Sequence, residues 1–197
     1  MGSNNGVLIL VAGIKGAIGS TLAAGVCAVN KTPELVLPYL MTAQKFPYLG
    51  DPADFRIAGW DTNEISMTEA LAGQGVLERG LWVPYAETLD QWPVKGAPKA
   101  TDNLKTQVKQ VKSDIQAFIK EFPGRAPVLV NLLPAGVCHD LSRFSSLEAL
   151  YEAVDAPPIA DIAYVLAALE AGIPVVNFTP NEIEIPAVVK AARERGV

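Results

Sequence analysis

Glycines stand at positions 13, 16 and 19 in VAGIKGAIGST, residues 11–21, between an apolar run and a helix-like run. A phosphate needs close backbone approach and unpaired N–H groups. Glycine permits the approach, and a helix N-terminus supplies the N–H groups with a favourable dipole. Gly13 ends the apolar run, Gly16 falls in the turn, and Gly19 falls where a helix would pack on a sheet. Those are the roles of the glycines in a dinucleotide-binding turn. The spacing is GxxGxxG rather than GxGxxG, and a P-loop is excluded because Gly19 stands where its lysine would precede Ser20. Ile14, Lys15, Ala17 and Ile18, between the glycines, are further candidates for cofactor contact, Lys15 reaching the pyrophosphate or pointing to solvent. The rival reading is a tight turn whose glycines serve packing alone.

An acid at the end of the next strand would complete such a site by binding ribose hydroxyls. Asp61 in AGWD sits there, further along than the usual spacing of about 20 residues after the glycines. A Pro- and Tyr-rich excursion over 31–52 accounts for the extra length. A carboxylate disfavours a 2′-phosphate, so the expected cofactor is NAD rather than NADP. The plainer alternative is that Asp61 caps a turn.

The elements that must position these residues are legible as patterns. GVLILVAG (6–13) is a short apolar run ended by glycine, a buried parallel strand. Small and apolar residues over 17–30 predict the first helix, and DFRIAGWD (54–61) the second strand. Ser66 with Glu69 has capping-box spacing, so a short helix starts there. Prolines at 84, 93 and 98 make 80–101 read as loop. Leu104, Val108, Val111, Ile115, Phe118 and Phe122 recur at helical steps, and Pro123-Gly124 ends that helix. Strands are predicted over 127–134 and 173–180, helices over 145–154 and 158–172, and a last helix within 182–196 with Pro186 in its first turn. This alternation predicts an α/β fold, a Rossmann-like doubly wound, mostly parallel sheet with helices on both faces. One domain is expected over 1–197, with its ligand at the carboxyl ends of the strands.

Composition narrows the function. The chain has 197 residues, half of them hydrophobic, and a net charge of −5. That is enough for one substantial core. An acidic chain without a basic cluster argues against nucleic acid or an anionic membrane as the main partner, and the lysines over 105–112 read as a solvated helix face. Two cysteines, Cys27 and Cys138, and one histidine, His139, cannot build a zinc site with normal spacing, and no metal is expected. Both cysteines read as buried thiols. Adjacent Cys138 and His139 point to opposite faces of an extended chain, which argues against a nucleophile–base pair. Glu182 and Glu184 read as acids flanking the start of the last helix. The N-terminus has no basic n-region and its apolar run is too short to span a membrane, so a cytoplasmic protein is expected.

Several stretches together resemble the myo-inositol-1-phosphate synthase family: VAGIKGAIGSTL, FPYLGDPADF, IAGWDTNEISMTEAL, and IADIAYVLAALEAGIPVVNFTPNEIEIPAV. GWD and VNFTPNEIEIP are the most specific blocks, and the match runs in order from about residue 6 to the end. The resemblance implies NAD, a homo-oligomer, usually a tetramer, and a sugar-phosphate substrate. The family converts glucose 6-phosphate to an inositol monophosphate by oxidation at C5, closure of an enolate on the aldehyde carbon, and reduction by the same cofactor. Carried over by position, Gly13, Gly16, Gly19, Ser20 and Thr21 fall on family residues, and Asp61 on the ribose-binding acid. Asn177, Thr179, Pro180 and Asn181 fall on the late loop near nicotinamide and substrate, and Asn131, Pro134 and Asp161 near cofactor contacts. Lys15 replaces a further family glycine, and Ala17 and Ile18 an asparagine pair. The family's catalytic lysines lie in an α/β domain beyond AARERGV, so the expectation is the NAD-binding portion of such an enzyme, binding cofactor without turnover. Two rivals remain. An extended short-chain dehydrogenase or epimerase would need a Tyr followed four residues later by Lys, which no tyrosine here provides. The other is a non-catalytic nucleotide-binding relative.

Overall fold

The computed structural model describes residues 6–36, 54–136, 143–153 and 160–197. Cys138, His139 and most of the 31–52 excursion lie outside them. In chain order the elements are β1 (Val7–Ala12), α1 (Ala17–Lys31), α2 (Pro33–Val36), β2 (Arg56–Asp61), α3 (Met67–Gln74), α4 (Arg79–Trp82), a 3-10 turn (Val83–Tyr85), α5 (Ala86–Asp90), β3 (Val94–Gly96), α6 (Leu104–Glu121), β4 (Ala126–Asn131), α7 (Leu147–Ala153), α8 (Asp161–Glu170), β5 (Val175–Asn177) and α9 (Pro186–Arg195).

Five strands form one parallel sheet in the order β3-β2-β1-β4-β5. This is an α/β, Rossmann-like arrangement, and the order reverses between β1 and β4. There the connections leave in opposite directions and open a crevice at the strands' carboxyl ends. Strand side chains alternate between two cores. Leu8, Leu10, Ala12, Ala58, Trp60 and Leu129 face α6, α8 and α9. Ile9, Val11 and Ile57 face α1 and α3. Burial on both faces is why β1 reads as an unbroken apolar run.

The helix starts follow local chemistry. The Ser66 hydroxyl accepts from the Glu69 N–H at 3.1 Å and the Glu69 carboxylate accepts from the Ser66 N–H at 2.8 Å, the reciprocal capping box. Asn103 caps α6, accepting from Thr106 N–H at 2.9 Å. Pro186 opens α9, which therefore begins four residues later than the 182–196 segment.

The region 80–101 is not the plain loop expected. It holds α4, α5 and the edge strand β3. β3 is three residues long, follows Pro93 and pairs only with β2, so it needs neither length nor strand composition. β4 stops at Asn131 and β5 spans Val175–Asn177, both shorter than their apolar runs, because the chain leaves the sheet into a polar cluster at their carboxyl ends. Cys27 is buried, as expected, and burial pushes its thiol pKa up. Among the described residues no helix is long and apolar enough to cross a membrane.

Candidate functional site

The turn between β1 and α1 is latched to the end of β2. The N–H groups of Gly13 and Ile14 donate to Trp60 O at 2.9 and 3.2 Å, and Gly16 N–H closes onto Gly13 O at 3.1 Å. Gly13 has φ +84°, which a side chain would strain. At Gly19 a Cβ would lie 2.6 Å from both Gly13 O and Ile14 O, so this glycine lets α1 sit against its own approach loop. Gly16 is the N-cap of α1 and offers no side-chain cap. The Ser20 hydroxyl turns back to Gly16 O at 2.8 Å. The N–H groups of Ala17, Ile18 and Gly19 therefore take no partner among the described residues. A helix start with free donors and no cap is suited to an anion.

Asp61 ends β2 beside this turn. Its Oδ2 accepts from the Lys15 N–H at 2.8 Å and its Oδ1 from the Asn63 N–H at 3.0 Å. The Lys15 ammonium donates to Asn63 O at 2.6 Å. Asp61 thus does cap a turn, but a carboxylate has about four lone-pair sites, and roughly two remain for a ligand. The carboxylate borders a cleft of about 700 Å³ at the carboxyl ends of β2 and β3, with Lys15, Asn63, Lys95, Ala97 and Tyr164 among its walls.

A second cluster lies at the carboxyl ends of β4 and β5. Asp161 is 2% exposed, and its Oδ2 accepts from the amides of Asn131 and Asn181 and from the Thr179 hydroxyl. Asn131 also donates to Asn177 Oδ1 and accepts from Leu133 N–H. Asn181 also donates to Pro134 O at 3.1 Å and accepts from Gly136 N–H at 2.9 Å. The Asn177 amide donates to the carbonyls of Thr179 and Asn181. Asp161 sits in the first turn of α8 and meets three neutral donors in this network, with no cationic partner there. Phe178, 67% exposed, and Pro180 project outward from this loop.

The sequence profile described as myo-inositol-1-phosphate synthase, an NAD-binding profile, matches residues 36–197. The chain belongs to the myo-inositol-1-phosphate synthase family. It is an NAD-binding domain of that family, and NAD is its cofactor. Among solved structures, inositol-3-phosphate synthase from Caenorhabditis elegans superposes with a TM-score of 0.74 at 17% identity. That match covers 98% of this chain and 48% of the other, so this chain spans about half the length of its structural relative. A search of curated proteins finds no match.

The residues of this myo-inositol-1-phosphate synthase family member fit NAD. The uncapped α1 start suits a pyrophosphate, the Gly19 contact leaves no room for a Cβ beneath it, and Asp61 faces a cleft of suitable size. The sequence-predicted residues fall into two groups. Gly13 to Gly19 and Asp61 come together around the turn, while Asn131, Pro134, Asp161, Asn177, Thr179 and Asn181 come together beyond β4 and β5. Sequence reasoning missed Tyr164, which lines the cleft, and the Trp60–Asp114–Lys95 support behind it. One signal for Tyr164 was available. It follows Asp161 by three residues, which places both on one face of α8.

Proposed function

We propose that this chain is the NAD-holding part of a homo-oligomeric enzyme that isomerises glucose 6-phosphate to an inositol monophosphate. One observation carries the reading: the N–H groups of Ala17, Ile18 and Gly19, without a partner among the described residues, stand at the sheet's carboxyl edge beside Asp61. Those donors receive the pyrophosphate, with Gly13, Gly16 and Gly19 giving it backbone access. Asp61 accepts from the adenosine ribose hydroxyls, and its charge opposes a 2′-phosphate. Ile14 and Lys15 fix the loop; Ile14 is buried and the Lys15 backbone is tied to Asp61.

NAD, when bound, supplies the hydride acceptor and donor that the oxidation and reduction need. The loop Asn177–Asn181 faces the nicotinamide and the sugar. The Asn131 and Asn181 side chains have their donors and acceptors engaged within the protein, so Asn131, Pro134 and Asp161 support this loop from beneath. Enolate chemistry needs cations to stabilise the developing charge. The Asp161 cluster is built of amides, a hydroxyl and a carboxylate, so we place those cations outside it and expect the chain alone to bind without turnover.

The test is calorimetric titration with NAD and NADP of the wild type and Asp61→Ala, with thermal melts of both. NAD binding that weakens at least tenfold in the variant, with NADP the poorer ligand for the wild type, supports the reading. A wild type that binds neither nucleotide would sink it. A nucleotide-binding relative without catalysis is the second reading, favoured by Ile18, 61% exposed at the mouth of the phosphate turn.

A further inference from the structure

Tyr164 combines burial, ring packing and a place on the cleft wall. It is 2% exposed, its ring packs edge-on against Trp60 with centroids 5.4 Å apart, and it lines the cleft beside Asp61. Its hydroxyl has no hydrogen-bond partner among the described residues. Among the described residues the fully buried, partnerless side-chain polar atoms are Thr21 Oγ1 and Trp82 Nε1, and the Tyr164 hydroxyl is not one of them. The phenol is thus a buried side chain on the wall of the cleft, its hydroxyl unpaired among the described residues. Burial, then the negative charges of Asp61, Asp114 and Asp161, hold its pKa well above the ordinary tyrosine value. It stays neutral and keeps its proton to donate.

A phenylalanine would fill the same space and pack on Trp60 equally well. A hydroxyl there has no partner among the described residues, so its use lies in a bound acceptor. The cleft lies at the ends of β2 and β3, on the β2 side of the crevice between β1 and β4. We infer that the Tyr164 hydroxyl donates a hydrogen bond to an oxygen of the adenosine half of NAD, a ribose or adjoining phosphate oxygen, from α8 while Asp61 reaches the ribose from β2. This rests on the NAD site described above and adds a residue and a direction to it. Asp61 accepts and Tyr164 donates, so together they read a group that carries both a hydroxyl and an acceptor oxygen.

The experiment is titration calorimetry of the full chain and Tyr164→Phe with NAD and with ADP-ribose, which lacks the nicotinamide, plus melts without ligand. Loss of one neutral hydrogen bond predicts NAD binding weaker by roughly 3- to 10-fold, with the same factor for ADP-ribose. The ligand-free variant should melt no lower than the wild type, because the hydroxyl has no partner among the described residues to lose. Equal NAD affinity in wild type and variant overturns the inference, as does a loss confined to NAD with ADP-ribose unchanged. A ligand-free melt clearly below wild type would show a structural role and overturn it too. A wild type that binds neither ligand overturns the NAD site itself, an outcome separate from the failure of Tyr164.

Discussion

The two glycines of α1 give opposite expectations for the same substitution. A Cβ on Gly19 would stand 2.6 Å from Gly13 O, 2.6 Å from Ile14 O and 2.7 Å from Ile14 Cα. All three atoms are backbone, and the loop carrying them is pinned to Trp60 O, so α1 must move off the turn. Overpacking of this kind costs about 1–3 kcal/mol. At about 2–4 °C per kcal/mol for a chain of this size, Gly19→Ala should lower Tm by roughly 2–12 °C. The shift also carries the Ala17–Gly19 N–H groups away from the pyrophosphate position, so NAD should protect the variant less. Gly25, in the same helix, is exposed with nothing within 4 Å of a Cβ. There Ala relieves the entropy of a mid-helix glycine, worth about 0.5–1 kcal/mol, and Tm should rise by roughly 1–4 °C. Differential scanning calorimetry with and without NAD reads both. The reasoning is refuted if Gly19→Ala melts with the wild type, or if Gly25→Ala falls as Gly19→Ala does.

Other outcomes follow from the same contacts. Asp161→Ala removes the acceptor shared by Asn131, Thr179 and Asn181, and urea unfolding should show a loss of about 1–3 kcal/mol; an unchanged midpoint would mean the network re-pairs without it. Asp114→Ala strips the Trp60 indole N–H of its partner at 2.9 Å and Lys95 of its ion pair at 2.8 Å, and should cost about 1–3 kcal/mol by the same assay. Burial pushes the Glu170 carboxyl up, but hydrogen bonds from Tyr151 and Lys112 outweigh it and leave the pKa below the ordinary value. Glu170 therefore adds stability above the unfolded carboxylate pKa, and that part fades as pH falls through the folded pKa; Glu170→Gln should flatten the acid limb of a stability–pH curve, and an unaltered limb would count against the pairing. Cys27 should resist iodoacetamide in the folded chain and react once urea unfolds it, as peptide mapping would show, since burial raises the thiol pKa and blocks access.

Local pattern was enough for the main elements. An unbroken apolar run placed β1 because both faces of a parallel sheet are covered, a strand pattern stopping at an acid placed β2, and the 3-4 spacing from Leu104 to Phe118 placed α6 because one helix face meets the core. The Ser66–Glu69 box could be read at three-residue distance because both partners lie within one turn. The glycine turn and Asp61 were likewise legible, since a strand–glycine–helix order and an acid at the next strand end are sequence-local signals. β3 was not, because a three-residue edge strand is defined by the neighbour it pairs with and not by its own composition. Tertiary structure alone decided which polar residues are spent and which are free. Asn131 and Asn181 lie 50 residues apart in number, and only folding shows their amides meeting on Asp161 and leaving little for a ligand. Only folding, again, sets Tyr164 on the wall of a cleft with its hydroxyl unpaired among the described residues. Hydrogen-bond satisfaction depends on distances between segments remote in sequence, and neither composition nor spacing carries those distances.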